Sequence, residues 1–196
     1  MQGIFEEQVA GNKRIQIGTA DQKTVYIFYA VAIPILLALA VWIYQSLTQT
    51  NWQVPQLVII YLLATLFYLN VGVWLHEQLH CLGFRGTVNE ANTTITYERK
   101  FGLILTGFYR VKGDIECAVI QRALLMPLWL SAGFILLGIL GMFFLPDWWL
   151  PVMLTLALGS MFDMIHDVYM VSQIRKIGKQ GVYQDHGHYL EVIIKA

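Results

Sequence analysis

The sequence predicts an all-α membrane protein of four transmembrane helices, with a small β-hairpin element in the loop between the second and third. Three observations predict it. Charge is missing from long stretches: no Asp, Glu, Lys or Arg lies between Lys23 and Glu77, and only Asp147 lies between Arg122 and Asp163. All 13 Lys and Arg fall on one side once four spans are drawn. Residues 82–121, between the second and third spans, carry the alternation and β-branched content of short strands.

The spans follow in order. A bilayer core needs roughly 20 apolar residues from a helix that crosses it. The first span is predicted over 25–47, with a kink at Pro34 that membrane helices tolerate. A polar break from Gln45 to Gln56 contains Asn51 and Pro55. The second span covers 57–80, and the third 123–145. Pro146-Asp147 makes a tight turn, and Trp148 and Trp149 suit the membrane interface. The fourth span covers 149–174. The composition agrees, with 57% hydrophobic residues and 13% charged, about half the charge of a soluble domain. One integral membrane domain accounts for all 196 residues.

The basic residues set the orientation. Lys13, Arg14 and Lys23 precede the first span. Arg85, Arg99, Lys100, Arg110, Lys112 and Arg122 lie in the middle loop, and Arg175, Lys176, Lys179 and Lys195 follow the last span. The positive-inside rule puts both termini and that loop in the cytosol of a multi-pass plasma-membrane protein. Residues 1–24 are polar and lack the short apolar core and cleavage site of a signal peptide, so the first span is expected to be retained. Cys81 and Cys117 are too few for a disulfide framework, and both are expected reduced. The formal net charge of zero offers nothing to a nucleic acid; the expected partners are the lipid bilayer and a membrane protein or peptide.

The chemistry is concentrated in His76-Glu77-Gln78-Leu79-His80, which reads HExxH. Helical residues four apart share a face, so both imidazoles can hold one zinc ion. Glu77, about 100° round the axis, can reach a water there as general base without being a ligand. The competing reading makes these residues a polar anchor at the helix end. Yet three ionisable residues in five, at the end of an apolar span, are costly to keep without a use. Zinc hydrolases take three protein ligands. The fourth span offers Asp163 and Asp167, four apart on one face, with His166 in the same turn, to complete the site or orient its imidazoles. The alternative use for them is a polar cluster that holds the bundle together.

This arrangement resembles the site-2-protease type of intramembrane zinc metalloprotease. More closely, it resembles the small bacterial membrane proteins grouped as zincin peptidases. The residues that carry the likeness are HExxH, the β-rich loop, a proline-containing span at Met126-Pro127, Asp167, the basic pair Arg175-Lys176, and the tail Val182-Tyr183-Gln184-Asp185-His186-Gly187. The resemblance covers roughly residues 57–192. It implies a zinc-dependent peptidase, and by spacing to the basic pair it makes Asp167 the third ligand ahead of Asp163. His166 stands where the family pattern has a small residue, which leaves its part in the site open. The rival readings are a non-catalytic metal-binding scaffold and a metal transporter with Asp163, His166 and Asp167 along its path.

Other residues receive lesser expectations. Asp185, His186 and His188 read as a solvated tail. Cys81 points off the ligand face. Asn70 is expected to bridge helices or to bind a substrate backbone. Tyr109 and Arg110 are candidates to steady an oxyanion. Trp42, Tyr61, Phe67 and Tyr68 read as lipid-facing or packing aromatics. The loop segment Thr93–Tyr97 is a candidate edge for pairing with an extended substrate.

Overall fold

The computed structural model describes residues 5–9, 12–18, nine helical positions between 27 and 46, and residues 53–87, 93–100, 103–178, 181–186 and 189–194. The predicted span over 25–47 lies for the most part outside the described residues, although Pro34 is one of its nine helical positions.

Three described helical segments are long and apolar enough to cross a membrane: Pro55–Phe84, Cys117–Gly141 and Trp149–Ile177. The first contains α1 (Val54–Phe67), a wide π-helical turn (Tyr68–Gly72) and α2 (Val73–Phe84). The second is α3 (Cys117–Leu125) and α4 (Leu128–Gly141), and the third is α5 (Trp149–Ile177). The junction of α3 and α4 falls at Met126-Pro127, because Pro127 has no amide hydrogen to continue the ladder. Many large apolar side chains of these helices face outward, including Leu63, Phe67, Trp74, Trp129 and Leu136. Continuous apolar exposure of this kind suits lipid and not water.

The third predicted span begins earlier than expected, at Cys117 instead of residue 123, and its helix ends at Gly141 instead of residue 145. Arg122 had marked that stretch as loop. In the structure its Nε donates to the Gly83 carbonyl at 2.8 Å, so the charge is satisfied at the junction of α2 and α3.

The helix α5 is the most enclosed of the three. It packs against α4, α1 and α3. Ser131 and Ser160 hydrogen-bond across α4 and α5 at 2.9 Å, and the Trp149 indole donates to the Leu137 carbonyl at 2.8 Å.

Two sheets complete the fold, the first packed along α2 and the π-helical turn and the second against the ends of α3 and α5. β3 (Thr93–Lys100) and β4 (Leu103–Val111) form an antiparallel pair in the middle loop, with a register shift between Glu98 and Arg99. Residues 101 and 102, between the two strands, lie outside the described residues. The second sheet departs from the all-α expectation. β1 (Phe5–Val9), β2 (Asn12–Gly18), β5 (Gly181–Asp185) and β6 (Tyr189–Ile194) form an antiparallel sheet in the order β1-β2-β6-β5. The two ends of the chain therefore pair with each other, with Ile15 opposite Val192 and Ile17 opposite Leu190.

All four of those side chains are buried, as is Tyr183. They close a core with Ile120, Met170 and Ile174 from the helix ends. The signal was a period of two: Ile15 and Ile17 inward with Arg14 and Gln16 alternating outward, and Leu190 and Val192 inward with Glu191 between.

Candidate metal centre

The motif lies on α2, one turn beyond the π-helical turn in which the Val73 amide reaches back five residues to the Tyr68 carbonyl. His76, Glu77 and His80 are all buried there, each about 5–6% exposed. Asp167 reaches them from the middle of α5 and is 5% exposed. His76 Nε2 and His80 Nε2 are 3.2 Å apart. Asp167 Oδ2 lies 3.2 Å from the first and 3.5 Å from the second. These three residues form the group that could hold a metal ion among the described residues.

The donor set fits a metal on three counts. The centre of the triangle lies about 1.9 Å from each of its corners, close to zinc–nitrogen and zinc–oxygen lengths of about 2.0–2.2 Å. Asp167 Oδ2 is buried beside both rings with no hydrogen-bond partner, and His76 Nδ1 is likewise buried without one. His80 Nδ1 lies 2.9 Å from the Ala123 carbonyl. A carbonyl only accepts, so Nδ1 carries the proton and Nε2 turns a lone pair to the centre. A lone pair on His80 Nε2, a second imidazole nitrogen and a carboxylate oxygen converge on one point, a donor set that a cation would match.

Glu77 is not part of the triangle. It lines the same cavity of about 110 Å³, with His76, His80, Asp163, His166 and Asp167. Its neighbour across the gap is Gly107 of β4. A Cβ at that position would come within 2.8 Å of Glu77 Cδ and 2.9 Å of Oε1. Only a residue without a side chain lets β4 cross directly over the carboxylate. Gly107 pairs with Tyr97 across the strands. The strand over the motif is thus β4, and the segment Thr93–Tyr97 lies on its outer partner.

Asp163 and Asp167 have different surroundings. The Tyr68 hydroxyl donates to Asp163 Oδ2 at 2.6 Å. Tyr68 reaches across because α5 presents Gly159 to its ring, where a Cβ would stand only 3.1 Å from the ring carbons. Of the two readings, lipid-facing or packing, Tyr68 takes the second, buried against α5 and bonded to Asp163. Tyr68→Phe should lower stability by about 1–3 kcal/mol, the range for leaving a buried polar group without its partner. Thermal unfolding in detergent measures it, and an unchanged midpoint would remove Tyr68 from the account. His166 lines the cavity with its Nδ1 buried and unpartnered, but it is not one of the three converging residues.

Several lesser expectations change. Asp185 is buried, not solvated, and lines the cavity from β5. It belongs to the inward series Gly181, Tyr183 and Asp185, a period the tail sequence contained. His186 stacks on Tyr189 at 4.6 Å and approaches Glu191 at 3.3 Å, while His188 lies outside the described residues. Among the described residues Asn70 bridges no helices and does not line the cavity. Its amide donates to the Leu66 carbonyl one turn back, at 2.9 Å.

Arg110 is exposed. Tyr109 is buried, with its ring on the cavity wall. Burial pushes its phenol up to about 12, and Thr93 and Cys81 are its hydrogen-bonding neighbours. Its hydroxyl is therefore neutral and engaged away from the metal triangle. Cys81 and Cys117 are both free thiols.

No family model matches this chain, and neither a curated protein nor a solved structure matches it.

Proposed function

We propose that the protein is a zinc-dependent, membrane-embedded metallopeptidase that hydrolyses peptide bonds of membrane or membrane-proximal substrates. The observation that carries this reading is the convergence of His76 Nε2, His80 Nε2 and Asp167 Oδ2 from two helices, with Glu77 in the same cavity. Two imidazoles and a carboxylate suit zinc among the common divalent ions. When bound, zinc supplies a Lewis acid that acidifies water and polarises a carbonyl.

The chain's own residues do the rest. His76, His80 and Asp167 hold the ion. The Ala123 carbonyl fixes the ring of His80 through its Nδ1 proton. Glu77 takes a proton from the attacking water at its carboxylate and returns it to the departing amine. Burial of Glu77 beneath Gly107 keeps bulk water from competing for that proton. The fold reading that goes with this has four spans, with both termini and the middle loop in the cytosol. It is supported by the one-sided placement of all 13 basic residues. The substrate then meets the site from the inner leaflet.

Metal removal tests the reading. The purified protein should contain close to one zinc ion per chain, and chelation should abolish cleavage of a membrane-embedded reporter. Added zinc should restore it. Asp167→Asn should bind zinc at least about tenfold more weakly, the lower end for loss of a group that matters to a metal site. Full zinc content in that variant, or cleavage that survives chelation, would overturn the assignment. A metal transporter would instead show zinc flux that depends on Asp163 and Asp167 more than on Glu77.

A further inference from the structure

The ring stack of Phe84 and Tyr109 has two sides. The rings lie 5.1 Å apart and within 19° of parallel. One side closes the metal cavity. The other walls a separate groove of about 480 Å³, lined further by Trp74, Gln78, Cys81, Leu82, Arg85 and Thr93. Arg85, at the end of α2, is exposed and makes no ion pair among the described residues. Trp74 and Leu82 are also exposed, on the outer face of the helix.

The dimensions select the ligand. Eleven residues separate Trp74 from Arg85, about 16 Å along the helix at 1.5 Å per residue. Half the hydrocarbon thickness of a bilayer is about 15 Å. The cationic end of the groove thus lies at headgroup level when its aromatic end lies near the midplane. A guanidinium offers five donors in a fork suited to phosphate oxygens, and the apolar wall below it suits an acyl chain.

We propose that this groove binds one anionic phospholipid from the leaflet at the C-terminal end of α2. Its phosphate rests on Arg85 and an acyl chain runs past Leu82 to Trp74. A bound chain backs the Phe84–Tyr109 wall, so the lipid also supports one side of the metal cavity. A soluble anion would leave the apolar wall uncovered.

Cys81 gives the readout, because it lies in the groove and is partly accessible while Cys117 is buried. The full chain, carrying Glu77→Gln so that no turnover intervenes, is reconstituted in phosphatidylcholine vesicles with or without phosphatidylglycerol. Alkylation of Cys81 by a neutral maleimide is then timed. Phosphatidylglycerol should slow it about fivefold, equivalent to about 1 kcal/mol for one cation at an anionic surface. Arg85→Gln should remove the difference without changing the unfolding midpoint, and Arg85→Lys should keep part of it.

Equal rates in the two vesicles would overturn the proposal. So would protection that survives Arg85→Gln, the same protection by inorganic phosphate in detergent, or a thiol inert in both vesicles. The outcome is independent of whether the protein cleaves peptides.

Discussion

Glu77→Gln is expected to abolish cleavage of a membrane-embedded reporter while leaving the zinc content of the protein unchanged. The amide keeps the size of the carboxylate and its place beneath Gly107, but it cannot accept a proton at neutral pH. Loss of a positioned general base costs about 10²–10⁴-fold in rate. Glu77 is not among the three converging residues, so the metal should stay. The separation of the two readouts is the informative part. A structural metal site would lose nothing on this substitution, and retained cleavage at more than about a tenth of the normal rate would remove Glu77 from the catalytic role.

The second large effect is expected at a residue with no chemistry of its own. Gly107→Ala puts a carbon within 2.8 Å of Glu77 Cδ and 2.9 Å of Oε1. Both groups are held, Glu77 by α2 and Gly107 by its pairing with β3, so the carboxyl must be displaced. A misplacement of about 1 Å at a reacting group can cost about 10²-fold. The overpacking should also cost about 1–3 kcal/mol of stability. Zinc content should be unaffected, since the atoms nearest to the added carbon all belong to Glu77. Arg110→Ala, exposed on the same strand, controls for general disturbance of the sheet and should keep its rate within about twofold. If Gly107→Ala cleaves normally, β4 does not position the general base.

The candidate metal centre is only partly legible in the sequence. HExxH needs no tertiary information to place two imidazoles on one face, because the helical repeat does that alone. The choice between Asp163 and Asp167 is different. Both lie on the same face of α5, and sequence spacing separated them only through a likeness to other chains. In the structure the separation is physical: Tyr68 occupies Asp163 at 2.6 Å, and Asp167 is left with its Oδ2 at the triangle. The contribution of Tyr68 was hidden because an aromatic in an apolar span looks the same whether it faces lipid or a carboxylate.

The sequence by itself determined the apolar helices, the loop strands and the paired imidazoles, since each is a local pattern in which period and charge placement leave few alternatives. Tertiary structure decided what long-range contact alone can decide. It joined the two ends of the chain into one sheet, brought Asp185 from an apparent tail to the cavity wall, and laid a glycine across the glutamate. Residues 15–17 and 190–192 each show the alternation of a strand. Neither stretch contains the information that the other, some 175 residues away in the chain, supplies its hydrogen bonds. Pairing across such a separation is fixed by the packing of the helices between them, because those helices set how far apart the two ends can lie.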